Sequence, residues 1–429
     1  MRIIESSNTR AVDALLNRRP ARDREIDRRV SRIVQRVRRG GDKALLRFAK
    51  QLDGLSGPVE VTRTEMARAA ALLEPRVWSA IRLSARHIAR VASRQVPREW
   101  TISPARGIRI TQRVVPLDRV GCYVPGGRYP LPSSLLMTAV PAAVAGVPEI
   151  IAACPRVDSV IMAAALAAGV TRLLRIGGAH AIAAFAYGTE TIPRVDKIVG
   201  PGNAYVATAK AQVAADCAID FFAGPSEIAI VSTAGRAAWV AADLIAQAEH
   251  DPDARAILFT PSRRLAKAVG IEIDRLMPHE GPAARALEAN GGIVVTRSLD
   301  EALALCQRMA PEHVVCDTAA VAKRLTRAGT VFVGQHSAQV AGDYATGSNH
   351  VLPTSGAAAG RGGLSAADFV RVSTVQQVTK QGLKRIAPSI VALAEAEGLT
   401  AHADSVRERL RRRASGGGTP RAPRKDDRA

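Results

Sequence analysis

Pro311-Glu312-His313 sets a carboxylate beside an imidazole, two groups suited to passing protons near neutral pH. On a helix these neighbours would point apart; at a strand end or in a loop both can border one cavity. Four more residues are potential metal ligands. Gln247 and His250 lie in Leu-Ile-Ala-Gln-Ala-Glu-His, three apart in a strongly helical stretch, and so project from one face of a turn. Asp343 follows Gly342 in a polar segment that reads as a loop presenting a carboxylate, and His402 lies near the end of the last helical stretch. Taken singly, each of these patterns more often belongs to a solvated surface.

The elements that must hold these groups follow from periodicity. Residues 21–53 carry Ile26, Val30, Ile33, Val34 and Val37, then Ala44, Leu45, Phe48 and Leu52, at helical spacing, with a break at Gly40-Gly41-Asp42. A further helical pattern spans roughly residues 63–95. From Ile108 the texture becomes short β-branched runs separated by alanine-rich helical stretches. Strands are expected at 108–115, 120–124, 149–153, 172–176 and 196–199, then at 227–231, 256–259, 292–295 and 330–333. Strand and helix in alternation predict an α/β fold with two Rossmann-like parallel-sheet units, a helical N-terminal region and a helical C-terminal segment. The expected division is 1–107 helical, 108–225 first α/β unit, 226–375 second α/β unit, 376–410 C-terminal helical segment, and 411–429 a disordered basic tail.

A length of 429 residues exceeds one hydrophobic core, so more than one packed domain is expected. The net charge of +21 is concentrated at the ends: residues 1–40 carry +7 and residues 405–429 carry +6. With aromatic residues at 3%, a base-stacking surface is not expected, and the charge reads as solvated termini rather than a specific nucleic-acid site. The most apolar stretch, 131–154, is interrupted by Pro132, Pro141 and Pro148, so no membrane span is expected. Five scattered cysteines form no Cys-x-x-Cys pair, and the N-terminus lacks a secretory apolar run. Both point to the cytoplasm. Cys122 reads as a small apolar residue ending a strand rather than as a nucleophile.

In this order, and together with Val124-Pro-Gly-Gly-Arg128 and Gly200-Pro-Gly-Asn-Ala-Tyr205, these segments resemble histidinol dehydrogenases, from about Arg38 to about His402. The resemblance implies a zinc- and NAD-dependent, four-electron oxidation of L-histidinol to L-histidine through L-histidinal. It implies one zinc ion on Gln247, His250, Asp343 and His402, a mixed N/O set that leaves coordination positions open for substrate. It implies Glu312 as the group that activates water and His313 as the proton acceptor. Ser226, His350 and Glu397 join the ligands and His313 as substrate-binding residues. Tyr123, His180 and Asn203 occupy the NAD-contacting positions, His180 departing from the family's usual Gln. The resemblance also implies a homodimer whose C-terminal segments complete each other's sites. Sulfopropanediol dehydrogenases share the 121–129 loop, but Gly342-Asp-Tyr-Ala-Thr-Gly and Pro130-Leu-Pro-Ser-Ser134 look more like histidinol enzymes. No Gly-x-Gly-x-x-Gly fingerprint follows the early strands; Gly177-Gly178 and Gly200-Pro-Gly202 are glycine turns at strand ends instead.

Overall fold

The computed structural model describes residues 1–17, 23–126, 130–221, 224–278 and 280–411. The expected tail beyond residue 411 therefore lies outside the described residues, as does Arg128. The described chain forms two compact units: residues 1–96 with 116–370, and residues 97–115 with 371 onward.

The first unit contains two six-stranded sheets of matching topology. In the first sheet the spatial order is Glu60–Val61, Arg172–Leu174, Glu149–Ala153, Arg119–Tyr123, Lys197–Val199 and Ala218–Ile219. All neighbours are parallel except the Glu60–Val61 edge, which is antiparallel. The chain builds outward from the strand ending at Tyr123 in one direction, then returns to build outward on the other side. That reversal puts a topological switch point between Tyr123 and Val199, where open α/β sheets leave a crevice at the carboxyl ends of the strands. The second sheet repeats the plan. Glu227–Val231 is followed on one side by Arg255–Thr260 and Gly292–Val295, and on the other by His313–Cys316 and Thr330–Val333.

The strands are near-continuous apolar runs because helices cover both faces of each sheet. Ile228, Ile230, Leu258 and Ile293 pack on one side of the second sheet, and Ala229, Val231, Phe259 and Val294 on the other. Helix Ala237–Ala248 buries Val240, Ala241, Leu244, Gln247 and Ala248.

Two elements differ from the periodicity, and one expected break is kept. Ile3–Glu5, in a region expected to be helical, adds a parallel edge strand to the second sheet beside Gly292–Val295. The break expected at Gly40-Gly41-Asp42 is present: between Arg24 and Phe48 two helical stretches meet across a kink at Gly41, which leaves helical geometry at φ 50° and ψ −139°. Val370–Val378, which runs into the segment expected to be helical from 376, is a strand, and its valines at 370, 372, 375 and 378 suit the extended backbone. With Ile108–Pro116 and Trp100–Ile102 it forms a three-stranded sheet in the second unit. The strand expected at 108–115 thus lies outside both parallel sheets. Helices Lys380–Ala396 and Thr400–Leu410 complete the second unit.

Candidate active site

Glu312 and His313 open the strand His313–Cys316, and Ser226 and Glu227 open its neighbour, so all four meet at the amino edge of the second sheet. Glu312 Oε2 accepts a hydrogen bond from the Ser226 hydroxyl at 2.6 Å and from the Glu227 backbone N–H at 2.8 Å. Burial nevertheless dominates and pushes its carboxyl up to about 7, against the opposing pull of these two donors. Burial lowers His313 to about 4, so the ring is neutral at physiological pH. His313 Nδ1 lies 3.2 Å from the Glu227 carbonyl oxygen. A carbonyl only accepts, so Nδ1 carries the hydrogen and the Nε2 lone pair remains available. Glu312 Oε2 stands 3.6 Å from His313 Nδ1.

The end of helix Ala237–Ala248 supplies the adjoining wall. Gln247, fully buried, donates from Nε2 to the Ser226 hydroxyl oxygen, which links it through Ser226 to Glu312. Its Oε1 is buried without a hydrogen-bond partner. His250 Nε2 lies 3.8 Å from Asp343 Oδ2, and His350 Nδ1 lies 3.6 Å from Asp343 Oδ1 and 3.2 Å from the Asp343 carbonyl oxygen. Asp343 is buried, which raises its carboxyl despite the neighbouring imidazoles and the hydrogen bond from Gln339. It sits in the short helix Val340–Tyr344 rather than in a loop.

Seven of the candidate residues, Ser226, Gln247, His250, Glu312, His313, Asp343 and His350, thus cluster along one edge. Glu397 and His402 belong to the second unit, where both are exposed: Glu397 caps helix Lys380–Ala396 and His402 lies on helix Thr400–Leu410. Among the described residues no three His, Cys, Asp or Glu side chains are grouped so as to hold a metal ion. An unpartnered, buried amide oxygen beside an imidazole and a buried carboxylate is nonetheless the chemistry of a mixed N/O metal site that needs a further ligand.

The family model for histidinol dehydrogenase matches residues 16–410. A histidinol dehydrogenase of Oceanobacillus iheyensis is 41% identical over 401 residues, covering 90% of this chain and 94% of its own. One from Methanothermobacter thermautotrophicus is 43% identical over 395 residues, covering 89% and 93%. The crystal structure of histidinol dehydrogenase from Elizabethkingia anophelis superposes with a TM-score of 0.90 at 32% identity, covering 96% of this chain and 98% of that one. The chain belongs to the histidinol dehydrogenase family. Like that family it is an oxidoreductase acting on a CH–OH group.

The remaining candidates of this histidinol dehydrogenase-family chain lie elsewhere, at the switch point of the first sheet. Tyr123 ends the central strand, and its hydroxyl accepts from the Gly178 N–H at 3.1 Å. Asn203 caps helix Ala204–Val213, its side-chain oxygen accepting from Tyr205 and Val206. His180 is buried, with Nε2 2.7 Å from Asp53 Oδ2 and Nδ1 without a partner; the same Asp53 oxygen accepts from the Gly177 N–H at 2.9 Å. Cys122 is fully buried beside this site and its thiol is pushed up to about 12, which removes it as a nucleophile.

Several participants escaped the sequence reading. Gln339, wholly buried, donates to Asp343 Oδ2 at 2.8 Å; the i,i+4 spacing of Gln339 and Asp343 was the available signal. Glu227 and Arg255 form a buried ion pair directly behind Ser226, and Arg255 also donates to the Leu15 and Leu16 carbonyls. Asp53, 124 residues from Gly177, offered no local signal.

Proposed function

We propose that the chain oxidises L-histidinol to L-histidine: L-histidinol, two NAD and one water give L-histidine and two NADH, with protons released at each oxidation. The observation that carries this reading is the Ser226–Glu312–His313 group, joined through Gln247 to an unpartnered buried oxygen. In this reading residues 108–225 carry the cofactor side, 226–375 the metal and catalytic residues, and 376–410 the segment that completes the site.

Gln247, His250, Asp343 and His402 would hold one zinc ion, which when bound supplies a Lewis-acidic anchor for the imidazole and amine of histidinol. NAD, when bound, takes up hydride; the switch-point crevice bounded by Tyr123, His180 and Asn203 is its site in this reading, and the crowded glycine turn at Gly200 leaves backbone rather than side chain at that edge. His313, neutral and with Nε2 free, accepts the hydroxyl proton as the first hydride leaves. Glu312 draws a proton from the water that adds to the aldehyde, and the hydrate gives up the second hydride. Its carboxyl at about 7 places it near the optimum for a base working at neutral pH. Ser226 and His350 orient polar substrate groups, and Glu397 favours binding of the cationic substrate by charge. The functional form is a homodimer in which each C-terminal segment serves the other copy's site.

Among the described residues no helix is long and apolar enough to cross a membrane. All five cysteines are free and buried, in keeping with a reducing cytoplasm.

The test is NADH yield from L-histidinol beside 2,3-dihydroxypropanesulfonate, before and after EDTA and with zinc restored. Two NADH per histidinol, lost with EDTA and regained with zinc, is the expected result. Turnover of the sulfonate alone would move the substrate to the paralogous branch, and zinc-independent turnover would remove the metal from the reading.

A further inference from the structure

Both backbone polar groups of Gly200 are held by one buried ion pair. Asp220 Oδ2 accepts from the Gly200 N–H at 2.8 Å, and Lys210 Nζ donates to the Gly200 carbonyl at 2.9 Å. Lys210 and Asp220 also bond to each other, and the Phe221 N–H donates to Asp220 Oδ1 at 2.6 Å. Lys210 is 3% exposed and Asp220 5% exposed. Lys210 comes from helix Ala204–Val213, which begins just after the turn, and Asp220 follows the edge strand Ala218–Ile219. The pair therefore clamps the Gly200–Asn203 turn from beneath.

Gly200 has φ +112°, and a Cβ there would stand 2.1 Å from the Tyr123 carbonyl oxygen. The turn is thus pressed against the end of the central strand at the switch point. Taking a lysine and an aspartate out of water is costly, and a pair of apolar side chains would hold the helix to the sheet at least as well. What apolar residues could not do is bind an N–H and a carbonyl of the same glycine and so set the direction of the turn's peptides.

We infer that Lys210 and Asp220 are positioning residues for the dinucleotide, which hold the Gly200–Asn203 turn in the shape that receives the cofactor and touch neither substrate nor the reacting atoms. This rests on the assignment of NAD to the switch point.

The test compares wild type, Lys210→Met and the charge-neutral Lys210→Met/Asp220→Asn double variant, each full-length and zinc-loaded. NADH affinity is titrated by fluorescence, the KM values for NAD and for histidinol are measured, and Tm is recorded. The clamp predicts NADH Kd and NAD KM raised about tenfold or more in both variants, with histidinol KM and kcat at saturating NAD little changed. A lowered Tm with unchanged NADH Kd would reduce the pair to a structural role and overturn the inference. If Lys210→Met does not fold, Asp220→Asn alone makes the same comparison, since it keeps an acceptor for the Gly200 amide and loses the charge. Wild-type protein that turned over histidinol without binding NADH would instead overturn the cofactor assignment, and the inference with it.

Discussion

Ser226→Ala should move the pH dependence of turnover to higher pH. Burial raises the Glu312 carboxyl from its ordinary 4.5 to about 7, and the Ser226 hydroxyl and the Glu227 amide oppose that rise by hydrogen bonding to the carboxylate. A hydrogen bond to a charged group is worth about 1.5–3 kcal/mol, and each pH unit is about 1.4 kcal/mol. The Glu227 amide remains on the same oxygen, so the lower end applies, about one pH unit. The sign follows because losing a donor to the carboxylate disfavours the ionised form, and the base then appears only at higher pH. The assay is kcat against pH with histidinol and NAD saturating. A zinc ion would lower the midpoint in both proteins, so the difference between them is the quantity to read. Ser226 also accepts from Gln247, so metal content must be matched between the two. An acid limb that stays in place, or moves to lower pH, would refute Glu312 as the titrating base.

Glu312→Gln should keep the first oxidation and lose the second by about 10²–10⁴-fold, so that early product is near one NADH per histidinol, read by absorbance with aldehyde trapping. The same variant bears on stability in EDTA-treated protein. Because the folded carboxyl is raised, wild type has its full share of stability below about 4.5 and loses it as pH rises through about 7. Glu312→Gln should therefore gain on wild type by as much as about 3 kcal/mol from pH 5 to pH 8 in denaturant melts. Arg255→Met strands the buried Glu227 carboxylate and frees two carbonyls at the end of helix Thr9–Leu16, and should cost about 3–5 kcal/mol in denaturant unfolding. Gln247→Leu replaces the unpartnered oxygen with methyl groups; the purified protein should fold but retain much less zinc by elemental analysis.

Most of the parallel strands were legible in the sequence because a strand buried on both faces must be a β-branched run. Glu149–Ala153, Glu227–Val231, Gly292–Val295 and Thr330–Val333 have that composition and occur at those bounds. His313–Cys316 is harder to see, since its run of four begins with a polar residue. Ile3–Glu5 was hidden for another reason. Its partner, Gly292–Val295, lies nearly the whole chain away, and a three-residue strand carries no period of its own.

At the site, the sequence determined the chemical inventory: Glu312, His313, Gln247, His250 and Asp343 are identifiable by type, local spacing and resemblance. Only tertiary structure decided how their chemistry is tuned. The Glu312 carboxyl is pushed up to about 7 because the strands at Glu227 and His313 lie parallel and in register, which buries it against Ser226. Lys210 and Asp220 likewise meet only because the fold brings both to Gly200. Periodicity reports which face of an element is buried; it is blind to which distant polar atom will be waiting there, because that depends on the packing of segments far apart in the chain.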